Sequence, residues 1–250
     1  MNETSPMIEV HDIPVAFSLL TRLPVPVDHA RAGLRGARAG WAWPLVGAIL
    51  GAVAGAVGWA AMWTGLSPTL SAGLALAVLV LMTGALHEDG LADCADGLGG
   101  GRDKSHALEI MKDSRVGAFG VVALVLALGL RWQSLALFDG AGLLVAMVLS
   151  GATSRAVMLT VMAWMPLARS EGLSASTGQP RGVTVAIGTG LTLIAVLLIA
   201  PASLIAIVLL PLPLIILALR KIGGQTGDVL GGVQQLAEIG CLLGLSVVFS

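Results

Sequence analysis

Charge is what this sequence most lacks. Only 12% of its 250 residues are Asp, Glu, Lys or Arg, against about 25% in a soluble domain. That shortage excludes an ordinary water-soluble protein, and the mean hydropathy of +0.91 agrees. A formal net charge of −1 gives nucleic acid no electrostatic footing. Cysteine is also scarce. Cys94 and Cys241 stand far apart with no CxxC or zinc spacing, so neither a thiolate metal centre nor a disulfide is expected. Two small apolar fillers are. The opening stretch MNETSPMIEVHD lacks the basic n-region of a signal peptide. No repeat or low-complexity tract divides the chain, so residues 1–250 are read as a single integral membrane domain.

What is present is hydrocarbon. Several runs exceed the roughly 18 apolar residues needed to cross a bilayer. The expected fold is all-α: a polytopic transmembrane helical bundle with about seven spans, near 41–63, 69–86, 116–137, 140–164, 183–200, 202–219 and 236–249. The last is short, so it is expected to tilt or insert only in part. The 33 glycines are spread through these runs, and small residues at three- and four-residue spacing let helices approach closely. Ahead of the first span, Val10, Ile13, Phe17 and Leu20 share a helical face, which predicts a short interfacial helix ended by RLPVPV.

Basic residues set the orientation. Arg22, Arg31, Arg35, Arg38, Arg102, Lys104, Lys112, Arg115, Arg169, Arg181, Arg220 and Lys221 fall on one side, Arg131 on the other and Arg155 inside a span. The side rich in Lys and Arg faces the cytosol. The N-terminus and the loops 87–116, 166–182 and 220–235 are therefore expected there.

Against this background the segment HEDGLADCADGLGGG, residues 87–101, stands out. Asp89, Asp93 and Asp96 are at i, i+4 and i+7, one face of a helix. Carboxylates about 6 Å apart repel by roughly 3 kcal/mol per pair at an effective dielectric near 20. No basic residue follows until Arg102. A divalent cation would compensate, and the hard oxygen set suits Mg²⁺, which takes one or two carboxylates plus phosphate oxygens. Gly90 and Gly97 are expected to leave room for a bulky ligand. The alternative is a merely hydrophilic loop. Next comes RDKSHALEIMKDSRVGAFG, in which Lys112 and Arg115 suit phosphate oxygens. They equally suit positive-inside anchoring, and Asp113 beside Arg115 equally suits a local ion pair. A second polar island, residues 223–238, places Asp228, Gln235 and Glu238 on one face. Glu238 and Arg155, lying in apolar spans, are expected to face the bundle interior, either as substrate contacts or as a buried pair. His87 adjoins the acids as a base, a supporting group or a structural histidine.

Taken together, FSLLTRLPVP (17–26), HEDGLADCADG (87–97), EIMKDSRVGAFG (109–120), ARSEGLS (168–174) and GGQTGDVLGG (223–232) resemble the cobalamin synthase family, the adenosylcobinamide-GDP ribazoletransferases. The resemblance covers nearly the whole chain in order and spacing. It implies that adenosylcobinamide-GDP is joined to α-ribazole or its 5′-phosphate with release of GMP, with Mg²⁺, at the bacterial inner membrane. The partners it implies are the corrinoid nucleotide, α-ribazole and the lipid bilayer; a homo-oligomer stays open. It maps the metal motif onto Asp89, Asp93 and Asp96, and the phosphate motif onto Lys112, Asp113 and Arg115. The late motif falls on Thr226 and Asp228. Asp93 and Asp228 are candidate bases, with Arg115 and Lys112 as the cations of the catalytic set. His87, Asp113, Arg155, Gln225, Thr226 and Glu238 are candidate substrate contacts. Two rivals remain at this stage. One is a CDP-alcohol phosphotransferase, whose D-x-x-D-G-x-x-A-R pattern fails at Asp93. The other is a cation transporter, which would place its acids near the bilayer midplane.

Overall fold

The computed structural model describes residues 6–28, 32–33 and 35–249, the last of them by its backbone alone. Arg31, counted in the charge asymmetry, lies outside the described residues, as do Met1–Ser5. Among the described residues the fold is all-helical, with one isolated bridge between Leu167 and Gln225. The helices are α1 (Asp12–Leu20), α2 (Trp43–Trp63), α3 (Pro68–Thr83), α4 (Leu86–Gly100), α5 (Lys104–Ile110), α6 (Ala118–Leu135), α7 (Gly140–Trp164), α8 (Leu173–Thr177), α9 (Gly182–Ile199), α10 (Ser203–Leu209), α11 (Leu212–Lys221) and α12 (Gly227–Phe249). A 3-10 helix, Gly36–Ala42, leads into α2.

Among the described residues six segments are long and apolar enough to cross a membrane: the 3-10 helix with α2, then α6, α7, α9, α10 with α11, and α12. The seventh expected span is broken. Ser67 accepts a hydrogen bond from the Leu70 amide and starts α3, and Gly84 at φ +63° ends it. The next helix, α4, departs at 85°. Ala85 holds that corner at φ +58°, where a side chain costs on the order of 1 kcal/mol. We read α3, about 24 Å long, as the crossing arm and α4 as lying along the membrane boundary. The expected 87–116 loop is thus largely two helices, α4 and α5.

The expected short last span is corrected. Its apolar part, 236–249, is the far half of a 23-residue helix that begins at Gly227. Hydropathy alone missed the near half because Asp228, Gln234, Gln235 and Glu238 interrupt it. Those polar groups find partners inside the bundle, so the helix continues through them.

Helices α7 and α12 form the centre, each about two-thirds buried. Helix α2 lies on α7 at backbone contact: Gly47 abuts Gly151, Gly51 abuts the Met147 carbonyl, and a methyl at Gly55 would come within 2.8 Å of Leu144 Cα. Small residues therefore do here what hydrophobic burial does in water. The predicted interfacial helix α1 packs onto the bundle through Val15, Ala16 and Leu20, while Val10 stays exposed. Its anchor is Asp12, which accepts hydrogen bonds from Arg35 and Trp41. Burial opposes charge on Asp12, but those bonds and the Glu9 amide hold it below the usual carboxylate range. Cys94 and Cys241 are free and buried, as expected.

Candidate active site

The acids of α4 do not act as one row. Asp89 is exposed and Asp93 half-buried. Asp96 is buried, and its two oxygens accept the backbone amides of Gly117 at 2.7 Å and Gly120 at 2.9 Å. It thus satisfies orphan donors at the start of α6 and binds α4 to that helix. Nor do the neighbouring glycines leave room for a ligand. The space beside Gly90 is filled by the Asp228 backbone, and that beside Gly97 by Met111 and the Ala107 carbonyl. These glycines serve helix packing.

The late motif builds the other wall. Gly223 turns the chain at φ +82°. The Gln225 amide donates to the Pro166 carbonyl at 2.8 Å, and Ala168 donates back to the Gln225 carbonyl at 2.9 Å. The Gln225 side chain accepts a hydrogen bond from Ser174. Thr226 Oγ1 accepts from the Val229 amide at 3.3 Å, capping α12, and donates to Asp228 Oδ2 at 3.0 Å. Asp228 is therefore held in the first turn of α12.

Gly90 is where the two walls meet. An added methyl there would lie 2.8 Å from the Asp228 carbonyl oxygen and 3.0 Å from its Cα. The 138 positions from Gly90 to Asp228 therefore close to backbone contact. Asp93 feels the charges of Asp89, Asp228 and Asp96, with Arg169 as the opposing cation. Arg169 Nη2 lies 3.3 Å from Asp228 Oδ2, and its Nη1 is buried without a partner. In the charge asymmetry Arg169 counts only toward orientation. Its signal was its place in ARSEGLS, one of the five family-like segments.

Lys112, Asp113 and Arg115 lie between α5 and α6, on the rim. Asp113 is gripped by Arg115 Nη2 at 2.6 Å, and that side chain holds its pKa down to about 2. The local ion pair is therefore real, and Arg115 is otherwise exposed. Lys112 Nζ reaches to 3.9 Å from Glu171, two residues from Arg169.

Beneath the acids lies a buried polar lattice. Arg131 pairs with Glu88 at 2.6 Å and Glu238 at 2.7 Å. Arg155 lies 3.1 Å from the other Glu238 oxygen. Gln235 bridges Glu88 and Arg131, and Gln234 donates to Glu238 at 2.6 Å. Arg131 is therefore no loop residue on the far side but a buried member of α6. Arg155 and Glu238, expected to face the interior, do so and engage each other. Two positive and two negative side chains balance, which is how charge survives in a bundle core.

Between α1, α2, α7, α8 and the α4–α12 contact lies a cavity of about 210 Å³. His87, Asp89, Ser174, Thr177 and Asp228 give it polar lining, and mostly apolar side chains, Met158 and Met162 among them, line the rest. Of the candidate site residues, the structure thus gathers His87, Asp89, Asp93, Gln225, Thr226 and Asp228. It turns Asp96 to α6, keeps Lys112, Asp113 and Arg115 at the rim, and buries Arg155 and Glu238 below. Among the described residues no three His, Cys, Asp or Glu side chains stand close enough to grip an ion unaided. Mg²⁺ does not demand that, because substrate phosphate and water complete its shell. The oxygen donors of Asp89, Asp93 and Asp228, with their excess negative charge, fit it.

Comparison with known proteins adds an independent line. A family model described as Cobalamin-5-phosphate synthase matches residues 12–246. An adenosylcobinamide-GDP ribazoletransferase of Bradyrhizobium diazoefficiens is 46% identical over 240 residues, covering 94% of this chain and 92% of that protein. Proteins of the same description from Mesorhizobium japonicum and Sinorhizobium medicae are 43% and 40% identical. They cover 98% and 94% of this chain, and each is itself covered to 96%. No solved structure matches the chain.

Proposed function

The chain belongs to the cobalamin-5-phosphate synthase family, and from that premise we propose how its own residues carry the reaction. It is a multi-pass membrane transferase of late cobalamin biosynthesis. It joins adenosylcobinamide-GDP to α-ribazole or its 5′-phosphate and releases GMP. The phosphotransferase and transporter readings fall away with that membership.

A ribose hydroxyl of the acceptor attacks the phosphorus that bears the corrinoid aminopropanol. The bond from that phosphorus to the GMP oxygen breaks, and GMP departs. The hydroxyl proton passes to a carboxylate, Asp93 or Asp228. Such transfers depend chiefly on positioning and electrostatics. Arg169 steadies Asp228 and has a free Nη1 to offer a phosphate oxygen. Lys112 adds charge at the rim, and Arg115 can exchange Asp113 for phosphate. Asp89, Asp93 and Asp228 would hold Mg²⁺, which when bound supplies neutralisation of the pyrophosphate charge. Gln225 and Thr226 position Asp228, and the lattice of Arg131, Arg155, Glu88 and Glu238 positions α4 against α12.

The observation that carries this reading is the contact of Gly90 with Asp228, which brings two distant acidic motifs and one arginine to a single place. The test is GMP release by the purified full-length chain given adenosylcobinamide-GDP and α-ribazole, before and after chelation and with Mg²⁺ restored. Release abolished by chelation and recovered with Mg²⁺ is expected. Unaltered release under chelation would remove the metal from the proposal, and no release in any arm would overturn the assignment. We further place the protein in the bacterial inner membrane with the site facing the cytoplasm. The support is that the helix ends around the site carry the basic residues.

A further inference from the structure

Three polar groups of Gln225 bond to one stretch of chain. Its amide donates to the Pro166 carbonyl, its carbonyl accepts from the Ala168 amide, and its side-chain oxygen accepts from Ser174 Oγ. Gln225 is 2% exposed and Ser174 5%. The backbone pair forms the isolated bridge between Leu167 and Gln225. Gly224 permits that approach, because a methyl there would run into the Pro166 carbonyl. The clasped stretch belongs to the connection from α7 to α9, which carries the five-residue α8. Arg169 follows directly on the clasped residues 166–168, and Asp228 stands three residues beyond Gln225. Holding the two backbones together therefore fixes where the Arg169 side chain starts, and its Nη2 lies 3.3 Å from Asp228 Oδ2. An arginine on an unheld connection would instead give up its rotamer freedom at each turnover.

Resting on the role given above to Arg169, we propose that Gln225 and Ser174 are positioning residues for it. They clasp the 166–174 segment to the start of α12, so that the guanidinium meets Asp228 and the substrate phosphate in one place. Gln225 then acts on the substrate only through Arg169, since its side-chain oxygen and both backbone groups are engaged within the protein. The rival role for Ser174 is a direct substrate contact, because it also lines the 210 Å³ cavity. The two roles differ in what they depend on. A positioning hydroxyl matters only while Arg169 is there to be positioned, whereas a substrate contact matters with or without it.

The test uses the full-length protein in lipid nanodiscs. GMP release is followed from guanine-labelled adenosylcobinamide-GDP, so that strongly slowed variants are still read, and hydrogen exchange is measured beside it. Ser174→Ala removes the hydroxyl. It should lower kcat roughly three- to tenfold, the scale of one lost hydrogen bond, with the KM for α-ribazole near that of the parent. The amides of Ala168 and Gln225 should exchange faster by a similar factor, while those in the middle of α12 do not change. In the Arg169→Ala protein the same substitution should lower kcat no further. Gly224→Ala wedges the clasp from its backbone side and should repeat the pattern. Losses that multiply in the double variant, a raised KM for α-ribazole, or unaltered exchange would each overturn the proposal. Failure of the role given to Arg169 looks different: Arg169→Ala would keep full turnover, or the unmodified protein would release no GMP, while faster exchange in Ser174→Ala would still support the clasp.

Discussion

At the scale of single residues, Asp93, Asp96 and Asp228 separate into different tasks. Asp228 is tied to Thr226 and Arg169, Asp93 sits among like charges, and Asp96 is committed to the amides of Gly117 and Gly120. Asp96→Ala should therefore cost about 0.5–2 kcal/mol of stability, the scale of a lost helix cap, readable as a lower thermal midpoint in detergent. Asp93→Asn should leave the midpoint near that of the parent and remove most GMP release. A parent-like midpoint for Asp96→Ala would show that the carboxylate is not needed at the start of α6. Arg169→Ala should also lower turnover by two to three orders of magnitude, as for loss of one preorganised charge-stabilising donor, and Arg169→Lys should restore only part of it. Full activity in Arg169→Ala would remove that residue from the site. The i, i+4, i+7 spacing of the three aspartates of α4 could not reveal this division. Helical phase orders side chains on one element, whereas the partners of Asp96 and Asp228 come from 21 and 59 positions away.

At the scale of elements, the spans were legible because each is a local run of hydrocarbon, and hydropathy is a local sum. The errors lie where partners are distant. Helix α12 reads as short because Gln234, Gln235 and Glu238 look like water-facing groups until Arg131 and Arg155 arrive from α6 and α7. Arg131 reads as a loop charge for the same reason. The corner at Gly84 and Ala85 escapes a reading of apolar length alone. The junction of α4 with α12 is the element pair on which the site depends, and Gly90 is its point of contact. Gly90→Ala adds one methyl that would meet the Asp228 backbone at 2.8 Å, with no flexible side chain to yield. The two helices must then part by several tenths of an ångström. GMP release should fall at least tenfold, as a small misplacement at a positioning site does, while membrane insertion stays intact. Parent-like kinetics in Gly90→Ala would show that the site tolerates looser packing than the contact implies.

At the scale of the whole molecule, the site residues gather at one end of the bundle. The beginnings of α2, α6, α9 and α12 and the ends of α3, α7 and α11 lie at that boundary, together with α4, α5 and α8. The opposite boundary carries the turns at 64–67, 136–139 and 200–202. Once Arg131 and Arg155 are assigned to the buried lattice, no Lys or Arg remains in those far turns. The asymmetry is sharper in the structure than the charge count alone suggested, and it runs with the positive-inside rule. In the orientation we propose, the acids, Arg169 and Lys112 face the compartment that holds nucleotides, and position 66 faces away. A cysteine placed at 66 should be labelled in intact cells by a reagent that cannot cross the inner membrane. A cysteine at 104, the start of α5, should be labelled only after that membrane is opened. The buried Cys94 and Cys241 provide the unreactive background. Labelling of 104 in intact cells would reverse the orientation and turn the whole acidic end outward. The site geometry would stand, but its substrates would then have to be met on the other side of the membrane.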